Sequence, residues 1–199
     1  MKRGDSANYS LAQNEAQQVL DACISIEERV IIGCQIFLGL RISEIVHMKA
    51  DWITSEGNFH IPSFMACNCS ECTAYRENMW KPKTKAGART LPIASALRKT
   101  LFKYLEGHPD GLRLSRVSIW KKTKEVLKRA KIRRKGLAGN TIFPHALRAT
   151  CFLLLAQGGM DAINLCYYAG WENIAVATHY IQAAKAKDGA IKQARAIFG

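Results

Sequence analysis

A tyrosine near the end of the sequence, Tyr180, follows several residues that could bind and cleave a phosphate ester. Arg41 lies in the segment Gly-Leu-Arg-Ile-Ser-Glu, and His145 and Arg148 are three residues apart. Trp171 precedes Tyr180 by nine residues. A phenol, whose ordinary pKa is about 10, is a poor nucleophile unless fixed cations neutralise the phosphate and a base takes its proton. Two arginines provide permanently charged groups that match phosphate oxygens, so this set predicts DNA cleavage by a tyrosine.

In their order and spacing, these residues resemble the catalytic domain of the tyrosine recombinases, the phage integrase-like family. The resemblance extends from about Tyr9 to Ile181 and rests on Gly-Leu-Arg-x-x-Glu, His-x-x-Arg, Gly-Trp and the tyrosine that follows. Most members have histidine at the position of Trp171, whose indole N–H can donate the same hydrogen bond. The resemblance implies a mainly α fold with a small antiparallel β-sheet, in an integrase of archaeal or viral type.

The resemblance also implies a role for each residue in cutting one strand of duplex DNA. Tyr180 would attack a phosphodiester to give a 3′-phosphotyrosyl bond and a free 5′ hydroxyl, while Arg41 and Arg148 hold the non-bridging oxygens. His145 would be the base, and Trp171 would donate a hydrogen bond. No cofactor is expected, because the covalent intermediate conserves the bond energy for religation. Exchange between two DNA sites would give integration, excision or resolution.

A lysine on a hairpin loop is the expected general acid, because in this family such a lysine protonates the leaving 5′ oxygen. Residues 58–62 and 89–93 are predicted to be the two strands of the chain's only sheet. Lys83 fits best, since it lies in Pro-Lys-Thr with Arg89 six residues later. Lys85, two residues further along the same loop, is the alternative.

The other predicted elements are helices that would position these residues. Ser25 followed by Glu28 has the form of a capping box and predicts a helix that Gly39 ends, so that Arg41 lies at a junction with a third, short helix. Pro144 is predicted to open the helix of His145 and Arg148. The helix that Ser25 opens is predicted at residues 26–38. Further helices are predicted at residues 11–23, 95–107, 115–130 and 161–170, followed by one that Asn173 caps and that carries Tyr180.

Composition and charge favour double-stranded DNA as the partner. The 199 residues carry a formal net charge of +13, with nine Lys or Arg within residues 121–135. Alone, such a run is usually a solvated helix face, but beside the catalytic set it favours a polyanion. The length and the 48% hydrophobic content fit one globular catalytic domain over residues 1–199. The longest apolar stretch is too short for a membrane span and no secretory signal is evident, so we expect no membrane partner and a cytoplasmic protein.

Both ends of the chain bear on assembly. Family members usually have a separate N-terminal helical domain that clamps the DNA, whereas this sequence begins almost at the first catalytic-domain helix, which predicts a fragment or a minimal recombinase. The tail, residues 181–199, would either fold back on its own domain or dock on a neighbouring protomer in a DNA-bound tetramer. Its partial apolar stripe consists of Ile181, Ala184, Ile191, Ala194 and Ile197.

A cluster of cysteines is a departure from the family pattern. Cys67, Cys69 and Cys72 lie within six residues, and His60 precedes them. Together they could form a tetrahedral zinc site that staples the hairpin loop. The alternative is a set of reduced cysteines in a surface insertion, since the spacing differs from paired Cys-x-x-Cys motifs.

Two other functions are compatible with these residues. A type IB topoisomerase uses a similar tyrosine and cationic cluster but rejoins the original strand. A catalytically inactive DNA-binding module would bind phosphate through its basic helix without forming a covalent adduct. Relaxation of supercoiled plasmid without site dependence would indicate the first, and binding without any adduct would indicate the second.

Overall fold

The computed structural model describes residues 9–132 and 144–198, with side chains throughout these ranges except at 187–195. Within them the predicted mainly α fold with a small antiparallel sheet is confirmed. Among the described residues, no helix has the length and apolar character needed to cross a lipid bilayer. The helices are α1 (Gln13–Asp21), α2 (Ile26–Phe37), α3 (Ile42–His47), α4 (Ser70–Tyr75), α5 (Ser95–Gly107), α6 (Arg116–Arg129), α7 (Pro144–Gln157), α8 (Ala162–Ala169) and α9 (Ile174–Phe198). The strands are β1 (Asn58–Ile61), β2 (Met65–Ala66), β3 (Met79–Trp80) and β4 (Arg89–Pro92).

Helix α2 lies at the centre of the helical core and packs against α1, α5, α6 and α7. Ser25 caps this helix as predicted, because its hydroxyl accepts a hydrogen bond from the Glu28 amide at 3.1 Å, but the reciprocal bond of a capping box goes to the residue before Ser25 instead of to Ser25 itself. The Glu28 carboxylate accepts in turn from the amide of Ile24 at 2.9 Å. Helix α1 starts two residues later than predicted, since the Glu15 carboxylate caps the amide of Ala12 at 2.7 Å. A side chain that satisfies an orphan amide fixes where each helix begins.

The junction between α2 and α3 reverses the chain within a few residues. Gly39 has a φ of +57°, a left-handed conformation that glycine adopts without steric cost. The Leu40 amide then donates to the Cys34 carbonyl at 3.0 Å, which closes the end of α2. Gly39 also packs against α7, where a Cβ atom would lie 2.7 Å from Cε1 of Phe152. Gly39, two residues before Arg41, can therefore approach α7 closely only because it lacks a side chain.

The described residues contain two small antiparallel sheets, so the prediction of a single sheet was wrong. The predicted sheet is present, with β1 paired to β4 so that Ile61 lies opposite Arg89. A second pair, β2 and β3, brings Met65 opposite Trp80, and α4 lies between these strands. Strands of two residues are too short to show the alternation by which sequence reveals a strand.

The last two helices agree with the prediction from their capping residues. The carboxylate of Asp161 accepts from the amides of Ile163 and Asn164 at 2.8 and 3.0 Å, which starts α8. Gly170, with a φ of +64°, ends α8. The side chain of Asn173 accepts from the amide of Ala175 at 2.9 Å at the start of α9. Helix α9 then packs along both α7 and α8.

We expect Gly39→Ala to destabilise the fold by roughly 2–4 kcal/mol, because alanine is strained at a positive φ and its methyl group would overlap Phe152. Gly107→Ala is the matched control, since a Cβ atom there meets nothing within 4 Å. Urea unfolding of both variants measures the difference. Equal stability of the two variants would contradict the close approach at Gly39.

Candidate active site

One open cavity of about 810 Å³ brings together most of the residues that the sequence singled out. It lies between the α2–α3 junction, the loop before β4, the start of α6 and the start of α7. Five of the six predicted site residues line it: Arg41, Lys83, His145, Arg148 and Trp171. The sixth, Tyr180, lies behind the cavity wall. These residues are far apart in the chain, so the fold creates their proximity.

Arg41 is the residue that precedes α3, and hydrogen bonds hold both its backbone amide and its guanidinium. Its amide donates to the Glu44 carboxylate at 2.8 Å, and its Nη1 donates to the same carboxylate at 2.9 Å. Its Nη2 donates to the carbonyl of Gly170 at 3.0 Å. The guanidinium is therefore held between α3 and the end of α8, with one edge open to the cavity.

Arg148 is buried on α7, with 4% of the residue exposed. Its guanidinium donates to the carbonyl of Gly39 and, at 2.6 Å, to the carbonyl of Ala169. It also lies 4.7 Å from the centre of the Phe152 ring. Burial, together with the positive charge of Arg41, lowers the pKa of Arg148 to about 9, which still leaves it charged at neutral pH. A rigid cation is thus set in the wall of the cavity before any ligand arrives.

The carboxylate of Glu44 links three arginines beneath the cavity. Besides Arg41, it accepts from Nη1 and Nη2 of Arg89 at 3.2 and 3.3 Å, and Arg148 approaches within 3.9 Å. Burial alone would raise the pKa of Glu44, but attraction to Arg89, Arg148 and Arg41 outweighs it and holds the pKa at about 2. Three positive charges and one negative charge leave this cluster with a net charge of about +2, which favours an anion above it.

Arg89 is a buried residue that the sequence indicated only as part of a strand. Its Nε donates to the carbonyl of Tyr168 at 2.8 Å, and its Nη1 donates to the carbonyl of Gly87 at 2.7 Å. It therefore ties β4 to α8 as well as to Glu44. No sequence signal marked this role, because the burial of Arg89 depends on how β4 packs against α8 and Glu44.

The loop before β4 is attached to the segment that carries Trp171. The hydroxyl of Thr84 donates to the carbonyl of Gly170 at 3.0 Å, and the amide of Lys85 donates to the Glu172 carboxylate at 3.0 Å. Lys83 and Lys85 are both exposed, but only Lys83 lines the cavity. The geometry therefore favours Lys83 of the two candidates without assigning its role.

His145 lies one turn before Arg148 on α7 and faces the same cavity. Its pKa is lowered, first by partial desolvation and then by the positive charges of Arg148, Arg41 and Lys83. A histidine with a lowered pKa is neutral at pH 7, and a neutral imidazole can accept a proton. Its environment is thus suited to a base.

Tyr180 lies on α9 with 5% of the residue exposed. Its ring stacks on Trp171 with a centroid distance of 5.2 Å and meets the edge of Phe152 at 5.8 Å. Phe152 in turn lies under the guanidinium of Arg148. The ring of Trp171 therefore lies between Tyr180 and the cationic cavity, and the packing of these rings holds the phenol in the core.

The basic segment at residues 121–135 contributes less to the cavity than its charge suggested. Lys122 pairs with Glu27 at 3.0 Å and Arg129 pairs with Glu28 at 2.5 Å, so that both hold α6 against α2. The first turn of α6 lines the cavity instead, through Arg116. Residues 133–135 of the segment lie outside the described residues.

A second cavity of about 720 Å³ adjoins the first and extends its positive surface. Lys83 and Arg116 line both cavities, and Arg76 and Lys81 line the second. The side chain of Glu71 on α4 orients Arg116, accepting from its Nε at 2.8 Å. The sequence did not single out these cations, because nothing in their spacing distinguishes them from surface residues.

Comparison with known proteins identifies the family of this chain. Residues 9–187 match the phage integrase family, and the chain therefore belongs to that family. No curated protein sequence gives a significant match.

Solved structures share the fold at low sequence identity. The crystal structure of XerA recombinase matches 86% of this chain and 57% of its own length, with a TM-score of 0.66 and 17% identity. The Tn1549 transposon integrase in complex with transposon right end DNA matches 92% of this chain and 66% of its own length, with a TM-score of 0.68 and 17% identity. A lambda integrase dimer bound to a COC′ core site matches 86% of this chain and 47% of its own length, with a TM-score of 0.60 and 17% identity. The chain thus spans about half to two thirds of the length of these structures.

We expect the Glu44 carboxylate to make stability fall in acid. Its pKa lies at about 2 instead of 4.5, so its contribution is complete above about pH 4.5 and is lost as the pH falls towards 2. The difference between the two pKa values corresponds to about 3 kcal/mol. Glu44→Gln should therefore be less stable at pH 7 and should lack this part of the acid dependence.

Urea midpoints between pH 7 and pH 2.5 measure this effect. Glu106→Gln is the control, since Glu106 is exposed on α5 and should leave the acid profile unchanged. The ion cluster would be contradicted by a Glu44→Gln variant whose midpoints follow those of the wild type at every pH.

Proposed function

We propose that the protein is a site-specific DNA recombinase that cuts and rejoins strands through a covalent bond between Tyr180 and a 3′ phosphate. The observation that carries this proposal is the meeting of Arg41 and Arg148, more than a hundred residues apart, in one cationic cavity whose wall includes Trp171. Tyr180 stacks directly on that tryptophan. Membership of the phage integrase family supports the same activity.

The two arginines would bind the non-bridging oxygens of the phosphate that is cut. Because backbone carbonyls hold both guanidiniums in place, little reorganisation is needed as negative charge develops on the pentacovalent phosphorane. Glu44 would not touch the DNA. Its function would be to keep Arg41 and Arg148 close together in spite of their mutual repulsion.

Protons would move between the DNA and two side chains at the rim. His145 would take the phenolic proton as the Tyr180 oxygen bonds to phosphorus, and Lys83 would give a proton to the 5′ oxygen as its bond to phosphorus breaks. One phosphate ester replaces another, so religation to the 5′ hydroxyl of a second strand needs no external energy source. Trp171 would donate its indole N–H to the phosphate.

The phenol would have to enter the cavity before it could react. In the described state Tyr180 packs among Trp171, Phe152 and its own helix, and Ile181 and Ala184 belong to the same apolar cluster. We infer that DNA binding or assembly shifts the start of α9 so that the hydroxyl passes the edge of Trp171. Such gating couples cleavage to a complete complex.

Double-stranded DNA is the proposed partner, held along both cavities by their cations, in whichever compartment contains that DNA.

A tetramer on DNA is the proposed assembly. At the end of α9, Ile197 and Phe198 are 72% and 86% exposed, which supports docking of the tail on another protomer. Ile191 and Ala194, which the sequence placed on the same stripe, lie outside the described side chains.

We expect Tyr180→Phe to abolish covalent attachment while DNA binding is retained, because only the nucleophilic oxygen is removed. A pool of nicked duplexes with random sequence serves as the substrate, since cleavage near a nick releases a short strand and traps the adduct. Denaturing gels detect the adduct, and sequencing of the trapped strands gives the site. An adduct of equal yield with Tyr180→Phe would overturn the proposal, and site-independent relaxation of plasmid would indicate a topoisomerase.

We expect Lys83→Ala to slow strand cleavage by about 10²–10⁴-fold, the usual contribution of a general acid. A substrate with sulfur in place of the bridging 5′ oxygen should restore the rate, because a thiolate leaves without a proton. Lys85→Ala is the matched control on the same loop and should cleave both substrates at the wild-type rate. If Lys85→Ala showed the sulfur rescue and Lys83→Ala did not, the assignment would be reversed.

A further inference from the structure

A histidine and three cysteines converge beside the active site, at the opposite end of α3 from Arg41. The ligand atoms of His47, Cys67, Cys69 and Cys72 all lie within 4.8 Å of one another. Nε2 of His47 is 3.4 Å from Sγ of Cys69 and 3.5 Å from Sγ of Cys72. In a tetrahedral zinc site, bonds of about 2.0 Å to nitrogen and 2.3 Å to sulfur place these two atoms about 3.5 Å apart. The observed distances match that edge of the tetrahedron.

The histidine that joins the cysteines is His47, and the prediction that named His60 was wrong. His60 is exposed on β1, where its Nδ1 lies 2.9 Å from the Thr90 hydroxyl on the neighbouring strand. His47 is the last residue of α3 and is 5% exposed. It is twenty residues before Cys67 in the chain, so its proximity arises only from folding.

His47 is oriented as a metal ligand would be. Its Nδ1 lies 2.7 Å from the carbonyl of Ser43, one turn earlier on α3, so Nδ1 carries the proton that it donates there. The lone pair of the neutral ring is then on Nε2, which faces the sulfurs. A backbone carbonyl that holds the second nitrogen is the usual support of a zinc-bound histidine. Stacking on Trp80, at a centroid distance of 5.3 Å, fixes the plane of the ring.

The three thiols reach this ring from the insertion between β1 and β4. Cys67 follows β2, Cys69 precedes α4, and Cys72 lies in its first turn. Cys72 is fully buried, whereas Cys67 and Cys69 are half-buried. The three cysteines of Cys-x-Cys-x-x-Cys and one histidine supply four ligands. They leave no open coordination position, as in structural zinc sites.

We propose that His47, Cys67, Cys69 and Cys72 bind one Zn²⁺ ion tetrahedrally. Three thiolates with an imidazole form a soft donor set that suits zinc, whereas magnesium and calcium prefer oxygen ligands. Cys69 also caps α4 by accepting from the Cys72 amide at 3.4 Å, but that cap does not require an imidazole beside the sulfurs.

The ion would tie the insertion to the helix that carries the catalytic cluster. His47 lies one turn beyond Glu44 on α3, and Arg41 immediately precedes that helix. The insertion in turn supplies Glu71, which orients Arg116 at the junction of the two cavities. Zinc would therefore hold one wall of the DNA-binding surface against the helix that supports Glu44. This role is independent of the chemistry of Tyr180.

Metal content of the full chain, purified under reducing conditions without added metal or an affinity tag that binds metal, tests the proposal. We expect about one zinc ion per chain by elemental analysis. His60→Ala, the matched histidine control, should retain that zinc, whereas Cys69→Ser should lose most of it. Retention of zinc in Cys69→Ser together with its loss in His60→Ala would overturn the assignment of ligands.

A spectroscopic measurement on the wild-type protein does not depend on the folding of any variant. After removal of metal, titration with Co²⁺ should saturate at about one equivalent and give the intense visible bands of tetrahedral cobalt with thiolate-to-metal charge transfer. Subsequent Zn²⁺ should displace the cobalt, and thermal unfolding should shift upwards with either ion. Purified protein without zinc that also takes up no cobalt would refute the site.

Discussion

The site depends on one buried carboxylate that keeps three like charges together. Glu44 is fully buried and contacts Arg41 and Arg89, and it lies within reach of Arg148. Guanidinium groups this close would repel one another in the absence of a counter-ion, and a single buried charge would be costly without partners. The cluster resolves both problems, because the carboxylate is fully paired while an excess of positive charge faces the cavity. The hairpin, α7 and the end of α8 are all attached to it.

Much of this arrangement could be predicted from local sequence signals. Gly39 and the capping residues Ser25, Asp161 and Asn173 indicated where helices end and begin, because each satisfies a backbone group within a few residues of itself. The order of the motif residues, with the resemblance that they carry, predicted that distant segments meet. The alternation of β1 and β4 was long enough to indicate the main sheet.

What the sequence did not reveal depends on contacts between segments that are far apart. Arg89 showed no periodicity or motif of its own, although it links β4, α8 and Glu44. His60 was chosen as a metal ligand because it is nearer to the cysteines in the chain, whereas the fold brings His47 to them. The pairs of residues in β2 and β3 are too short for a recognisable pattern. The stacking of Tyr180 on Trp171 also depends on how α9 packs, which spacing alone does not determine.

Under the proposed function, the aromatic packing of Tyr180 has a consequence for encounters with DNA of unrelated sequence. An enzyme whose phenol always lay in the cationic cavity could cleave any duplex that it bound, since its cations attract every phosphate backbone. With the ring packed between Trp171 and Phe152, the proposed enzyme would dissociate from unrelated sequence without cutting it. Under the proposed function, selectivity for a target site would then depend partly on when the phenol is released.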